Sequence, residues 1–284
     1  MDFFDAHNHL QDERFGGRQD ELLSEARAAR VRRMVVNGCC EEDWPVVAAL
    51  AEAHPDIVVP AFGYHPWYVH QRTRGWHETL EGWCAGHPAA VLGEIGLDRW
   101  ILEQPVAVRA RYCPDLATNE PATLPAQEEV FLWQLRLAAE RNLPVTIHCL
   151  QAWGRLHDLL RTHARPEVGF VLHSFNGPHE MIDGFAKLGA YFSFPGYFAH
   201  ERKVRQRESF RRVPRQRLLV ETDAPDQLPP ESLLTHRWSG TEPGQVLNHP
   251  ANLGAIQSYL AKYLGIPADE FAAQIAENFQ RLFG

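Results

Sequence analysis

Short apolar runs recur along this chain, separated by stretches in which apolar residues return every three to four positions. The first run, Phe3-Phe4, leads directly into Asp5-Ala6-His7-Asn8-His9-Leu10. Residues 20–31 contain no Gly or Pro and set Leu22, Ala26 and Ala29 on one face, which predicts a helix. Met34-Val35-Val36-Asn37, closed by Gly38, reads as a strand. The alternation continues with helix 44–53, strand 57–62 ending in Gly63-Tyr64-His65-Pro66, helix 76–85, and strand 89–92 running into Gly93-Glu94-Ile95-Gly96-Leu97-Asp98. Helix 127–141 precedes strand 144–147 and His148; helix 154–162 precedes strand 168–172 and His173. Helix 178–188 precedes strand 190–194, and a basic helical stretch, 200–212, precedes 217–223. Two helices, 250–264 and 268–283, end the chain. Residues 99–126 break the rhythm: four prolines and no sustained period predict an extended rim loop with room for one short helix.

Eight strands alternating with helices imply a parallel sheet. Within 284 residues, 45% of them hydrophobic, they fit one α/β domain, a closed (β/α)8 TIM barrel over 1–284. An open doubly wound sheet would place a glycine-rich phosphate loop after the first strand, where this chain has His-Asn-His. No apolar stretch is long enough to cross a bilayer, and the first residues lack the pattern of a secretory signal. Five cysteines, an odd number without zinc-finger spacing, fit reduced thiols in a cytoplasmic protein. The net charge of −8 speaks against a broad basic surface for duplex DNA. It leaves room for a small site in which bound cations supply the positive charge.

The polar residues decide where that site lies. In a barrel of parallel strands the reactive face is the rim at the strands' carboxyl ends. His7 and His9 end the first strand, two apart and so on one face; Glu94 ends the fourth, His148 the fifth, His173 the sixth and Asp223 the eighth. Four imidazoles and two carboxylates are too many for one tetrahedral catalytic ion. They suit two divalent metal ions, Zn, Mn or Mg, with Glu94 as the bridge, His7 and His9 on one ion and His148 and His173 on the other. Asp223 is placed to bind an ion and to move the proton of an attacking water. His65 reads either as a turn cap or as a catalytic donor to a substrate oxyanion. Glu221 is a partner for a histidine or a charged plug, and Asp98 orients a ligand or caps a loop. Trp67, Trp100, Trp153 and Trp238 fall in rim loops, where they read as base-stacking surfaces or, the choice made here, as local packing. The run from Arg202 to Arg217 is assigned to a solvated helix face.

Taken together, the Asp5–Leu10, Gly63–Pro66, Gly93–Asp98, Ile147-His148-Cys149, His173-Ser174-Phe175-Asn176-Gly177 and Glu221-Thr222-Asp223-Ala224-Pro225 motifs, with the ending Asn278–Gly284, resemble the TatD family of metal-dependent hydrolases. The likeness runs from the first residue to the last. It implies a TIM barrel with two divalent metals at His7, His9, Glu94, His148, His173 and Asp223, and His65 as a substrate contact. It also implies a deoxyribonuclease-type activity: a phosphodiesterase or 3′–5′ exonuclease on single-stranded DNA or RNA ends. Hydrolysis of a carboxylic ester or amide, as in an aminoacyl-tRNA deacylase, is the alternative, and an idle metal-binding barrel a third. The expected partners are a nucleic-acid end or a small phosphodiester, with no membrane and a monomeric chain. Four features depart from the family pattern, all expected around the substrate. They are Trp67 in place of a second histidine, Asn248-His249-Pro250, Cys149-Leu150-Gln151-Ala152, and the long 99–126 segment.

Overall fold

A computed structural model describes residues 1–284. Eight parallel strands follow one another around a single sheet in chain order: β1 Phe3–Asn8, β2 Val31–Asn37, β3 Val58–Phe62, β4 Val91–Asp98, β5 Val145–Leu150, β6 Phe170–Leu172, β7 Ala190–Pro195 and β8 Leu218–Glu221. The helices between and after them are α1 Gln19–Ala28, α2 Trp44–Ala53, α3 Trp76–Gly86, α4 Val106–Tyr112, α5 Leu124–Arg141, α6 Trp153–Thr162, α7 Ile182–Lys187, α8 Val204–Phe210, α9 Leu253–Leu264 and α10 Ala268–Phe283. None is long and apolar enough to cross a membrane. The fold is the expected single-domain (β/α)8 barrel.

No regular ladder joins β8 back to β1, and other bonds close the gap. Asp223 N–H donates to His7 O (2.9 Å) and His9 N–H to Ala224 O (2.7 Å). The buried Asp5 carboxylate accepts from Thr222 N (3.0 Å) and Thr222 Oγ1 (2.5 Å). A side chain thus takes the place of a missing backbone partner.

Val35, Val59, Ala61, Val91, Val171, Tyr191 and Leu219 form one apolar cluster with Phe279, Leu282 and Phe283 of α10. The last helix therefore stoppers the lumen at the strands' amino ends. Two residues further on, along the same strand faces, stand Asn37, His173, Ser193 and Glu221, and the lumen turns polar toward the rim. A larger cluster, including Met34, Phe62, Leu92, Ile95 and Phe192, fills the layer between sheet and helices.

Three expectations change. Strand β4 runs on through Asp98 rather than stopping near Leu92, because it pairs with β5 as far as Asp98 beside Leu150. The segment 99–126 is no open loop: it holds the 3-10 turns Ile101–Glu103 and Pro114–Ala117 and helix α4, and α5 already begins at Leu124. Its own small core of Ile101, Cys113 and Leu116 explains why no long period showed in the sequence. The Pro-rich stretch after β8 also contains a two-residue antiparallel pair, Trp238–Ser239 with Val246–Leu247.

Candidate active site

All seven residues singled out by the sequence come together at the carboxyl-end rim. Glu94, 2% exposed, lies at the centre with its two oxygens facing different neighbours. Oε2 is 3.3 Å from His7 Nε2 and 3.4 Å from His9 Nε2. Oε1 is 2.9 Å from His173 Nε2, 3.2 Å from His148 Nδ1 and 3.6 Å from His65 Nε2. Asp223 Oδ1 completes the first group, 3.6 Å from both His7 Nε2 and His9 Nε2. The rings of His7 and His173 stack at 4.1 Å, so the two groups share a wall.

Local backbone explains how β4 brings its carboxylate so close to β5. A Cβ on Gly96 would sit 2.0 Å from His148 O, and one on Gly93 would sit 1.9 Å from Thr146 Oγ1. Only glycine admits this approach on either side of Glu94. Asp223 occupies the left-handed region at φ 53°, which aspartate tolerates better than most residues.

Outer partners set which nitrogen His9, His148 and His65 present. His9 Nδ1 is bonded to Asn37 O (2.8 Å), leaving Nε2 for the cluster. His148 does the reverse: Nε2 is held by Asp98 Oδ2 (2.9 Å), so Nδ1 points at Glu94. His65 Nδ1 accepts from Trp67 N (3.2 Å), which places its proton on Nε2, toward Glu94. Such partners fix tautomer and ring orientation together. His173 Nδ1 faces Glu221 Oε1 at 3.7 Å, and Glu221 accepts bonds from Ser174 N, Ser174 Oγ and Ser193 Oγ. Glu221 is thus held by Ser174 and Ser193 and faces His173 as a charged neighbour without a direct hydrogen bond to it. Asp98 fills both roles left open for it, orienting His148 and capping Ile101 N (2.9 Å).

The protonation pattern follows from burial and crowding. Burial drives His7 down to about 4, with His173 adding to the effect. Burial also opposes charge on His9, but the Glu94 and Asp223 carboxylates outweigh it and lift that imidazole to about 9. Against the same burial, the surrounding imidazoles hold Glu94 well below the usual carboxylate range. Burial pushes Asp223 up to about 7. An ionised carboxylate in a dry pocket costs several kcal/mol unless fully partnered, yet Glu94 Oε1 receives no hydrogen bond. Nitrogen and oxygen donors of His7, His9 and Asp223, and of His65, Glu94 and His148, gather within 4.8 Å of one another in each group. That donor set fits divalent cations.

Comparison with known proteins agrees with this chemistry. The family model of the TatD related DNases matches residues 4–284. The chain belongs to that family. Among its relatives, the 3′-5′ ssDNA/RNA exonuclease TatD of Pantoea ananatis (strain LMG 20103) is 29% identical over 282 residues, spanning 99% of both chains. The uncharacterized metal-dependent hydrolase YabD of Bacillus subtilis (strain 168) is 28% identical, covering 99% of this chain and 98% of the relative. The crystal structure of YJJV, a TatD homolog from Escherichia coli K12, superimposes with a TM-score of 0.81 at 28% identity, over 99% of this chain and 97% of the other. As a TatD-family member the chain is a metal-dependent hydrolase of the nuclease type.

Within this TatD barrel, several residues near the cluster escaped the sequence reading. Trp67, assigned to packing, donates from Nε1 to Asp98 Oδ2 (2.6 Å) and so steadies the carboxylate that orients His148. Gln227 Nε2 reaches both Asp223 Oδ2 and Ser174 Oγ at 2.5 Å. Cys39, counted only as a reduced thiol, places Sγ 3.7 Å from His9 Nδ1. Trp67 and Cys39 carry no local signal, since their partners lie 31 and 30 residues away; Gln227 stands four residues after Asp223 but 53 from Ser174. Two indoles do pack as expected: Trp153 against Phe175 at 4.7 Å, and Trp238 beneath Arg18 at 4.1 Å. Asn248-His249-Pro250 lies against the backbone on either side of Asp223. Asn248 Nδ2 binds Thr222 O (2.7 Å), while buried His249 faces Glu25 of α1 (3.2 Å), so the motif secures the end of β8.

Proposed function

We propose that the chain removes nucleotides from the 3′ ends of single-stranded DNA or RNA, using two divalent ions, Zn, Mn or Mg. The observation that carries this reading is the division of Glu94, with one oxygen toward His7 and His9 and the other toward His148 and His173. His7 Nε2, His9 Nε2 and Asp223 Oδ1 would hold one ion, and His148 Nδ1 and His173 Nε2 the other. When bound, the ions supply Lewis acidity toward phosphoryl oxygens and a water that ionises near neutral pH.

The chain's own groups do the rest. Asp223, whose carboxylate faces the cluster 3.6 Å from His7 and His9, takes the proton of the attacking water and returns it to the departing oxygen. Burial holds His65 well below its ordinary value, so its ring stays neutral, and its Nε2–H donates to an oxygen of the attacked phosphate as charge builds there. Gln227 keeps the Asp223 carboxylate turned inward through its 2.5 Å bond to Oδ2. Every donor named comes from this chain, and a monomeric enzyme is the state proposed. The five unpaired cysteines support a cytoplasmic one.

Single-stranded DNA labelled at its 5′ end, incubated with protein and Mn²⁺ or Mg²⁺, should yield a ladder shortening from the 3′ end. The double variant His7→Ala/His9→Ala should leave the label at full length. Equal shortening by both proteins, or none by either, overturns the nuclease reading. Cleavage of aminoacyl esters alone would replace it with the deacylase reading.

A further inference from the structure

The 99–126 insert meets the site through a row of aromatic rings. Trp67 stands edge-on to His65 at 4.9 Å and lies 5.9 Å from His148. Tyr112, the last residue of α4, packs against Trp67 at 5.5 Å, and Trp100 packs against Tyr112 at 5.4 Å with the planes 83° apart. The insert's own core is Ile101, Cys113 and Leu116, all fully buried. Tyr112 takes no part in that core and is 51% exposed.

The row is held firmly. Arg109, itself buried, is paired with Glu120 at 2.7 Å, and His70 Nε2 with Asp115 Oδ2 at 2.5 Å. Gln127 binds both the backbone of Asp98 and Ala122 O, tying the insert's end to the end of β4. Next to Tyr112, Arg111 is exposed and in no ion pair, while Arg99 and Arg109 are both engaged by glutamates. On a chain of net charge −8, a free guanidinium beside a half-exposed ring at the mouth of the site meets the needs of a polyanion carrying aromatic bases.

We propose that Tyr112, flanked by Trp67 and Trp100, is a stacking platform for a nucleobase of the strand whose end enters the cluster, with Arg111 meeting a phosphate of the same strand. This rests on the nuclease reading above and names how that site grips a polymer. A ring offers its face to any base, so the platform confers affinity for single strands without sequence preference. It lies one ring away from the catalytic histidines and therefore acts on binding, not on bond cleavage.

The test uses Mn²⁺-loaded wild type, Tyr112→Ala and Tyr112→Phe. Three substrates are compared: a single-stranded oligonucleotide, the same oligonucleotide with its three 3′-terminal residues abasic, and methyl p-nitrophenyl phosphate. Tyr112→Ala should raise KM for the first about tenfold with kcat little changed, and Tyr112→Phe should match wild type. On the abasic oligonucleotide and the small diester, wild type and Tyr112→Ala should be alike. An unchanged KM in Tyr112→Ala, or a kcat reduced equally on all three substrates, overturns the platform, the second outcome making Tyr112 a mere support for Trp67. In both cases wild type still degrades the oligonucleotide. Failure of wild type to do so removes the nuclease reading and the platform with it.

Discussion

The β1/β8 side of the rim and the β4/β5 side present the same kinds of donor but secure them by different means. On the first, His7, His9 and Asp223 are set by the closure of the barrel. Their backbones trade hydrogen bonds across the seam, and Asp5 spans it from within the core. On the second, His148 is set by side chains. Asp98 orients it, Trp67 and Gln127 brace Asp98, and the insert packs behind them. One half of the site is thus inseparable from folding, while the other can be disturbed with the barrel intact.

The largest effect should come from the seam. Replacing Asp5 by Ala leaves Thr222 N, Thr222 Oγ1, His7 N and Asn8 Nδ2 without their buried acceptor. Each orphaned donor costs about 1–3 kcal/mol, so chemical denaturation should show a loss of roughly 3 kcal/mol or more, with activity lost only as the protein unfolds. Full stability in this variant would mean that the seam does not depend on its carboxylate.

Disturbing the other half should spare stability. Asp98→Asn keeps the size of the side chain but can no longer hold the proton of His148 Nε2 as a carboxylate does. Removing such an outer partner typically costs about 10–100-fold in metal affinity or activity. Titration with Mn²⁺ should show that weakening beside an unfolding midpoint close to wild type. A large drop in stability with metal affinity preserved would erase the contrast between the two sides.

The smallest effect concerns the insert alone. Hydrogen bonds from His70 and Arg109 hold the carboxyls of Asp115 and Glu120 below their ordinary values of 3.8 and 4.5. A carboxyl depressed in the folded state stabilises above its ordinary value, and that contribution fades as pH falls toward the folded value. Lowering pH from about 5 to about 3 should therefore loosen 99–126 before the barrel, read as a change in tryptophan fluorescence from Trp67 and Trp100. The double variant Asp115→Asn/Glu120→Gln should already show the loosened signal at the higher pH. Identical pH profiles for the two proteins would remove these tethers from the account.

The barrel and the meeting of its strand-end donors were legible because both follow from local rules. Apolar runs of strand length, helical periodicity between them, and one polar residue where each run stops are all patterns within a dozen neighbouring positions. Glu94 could be placed at the centre for the same reason, although β4 extends past it. The insert was misjudged because its core joins Ile101, Cys113 and Leu116, positions that share no period. Trp67 was noticed but assigned to packing, because its bond to Asp98 spans 31 residues.

The amino-acid order by itself determined the eight-fold alternation, the family, and the residue types that end β1, β4, β5, β6 and β8. Tertiary structure alone decided which nitrogen each histidine offers, that Asp5 closes the ring with Thr222 217 positions later, and that Tyr112 comes to rest beside Trp67. The physical reason is that periodicity governs which way a side chain leaves its own strand. Hydrogen bonds and ring contacts between distant segments depend on where the whole chain has already packed.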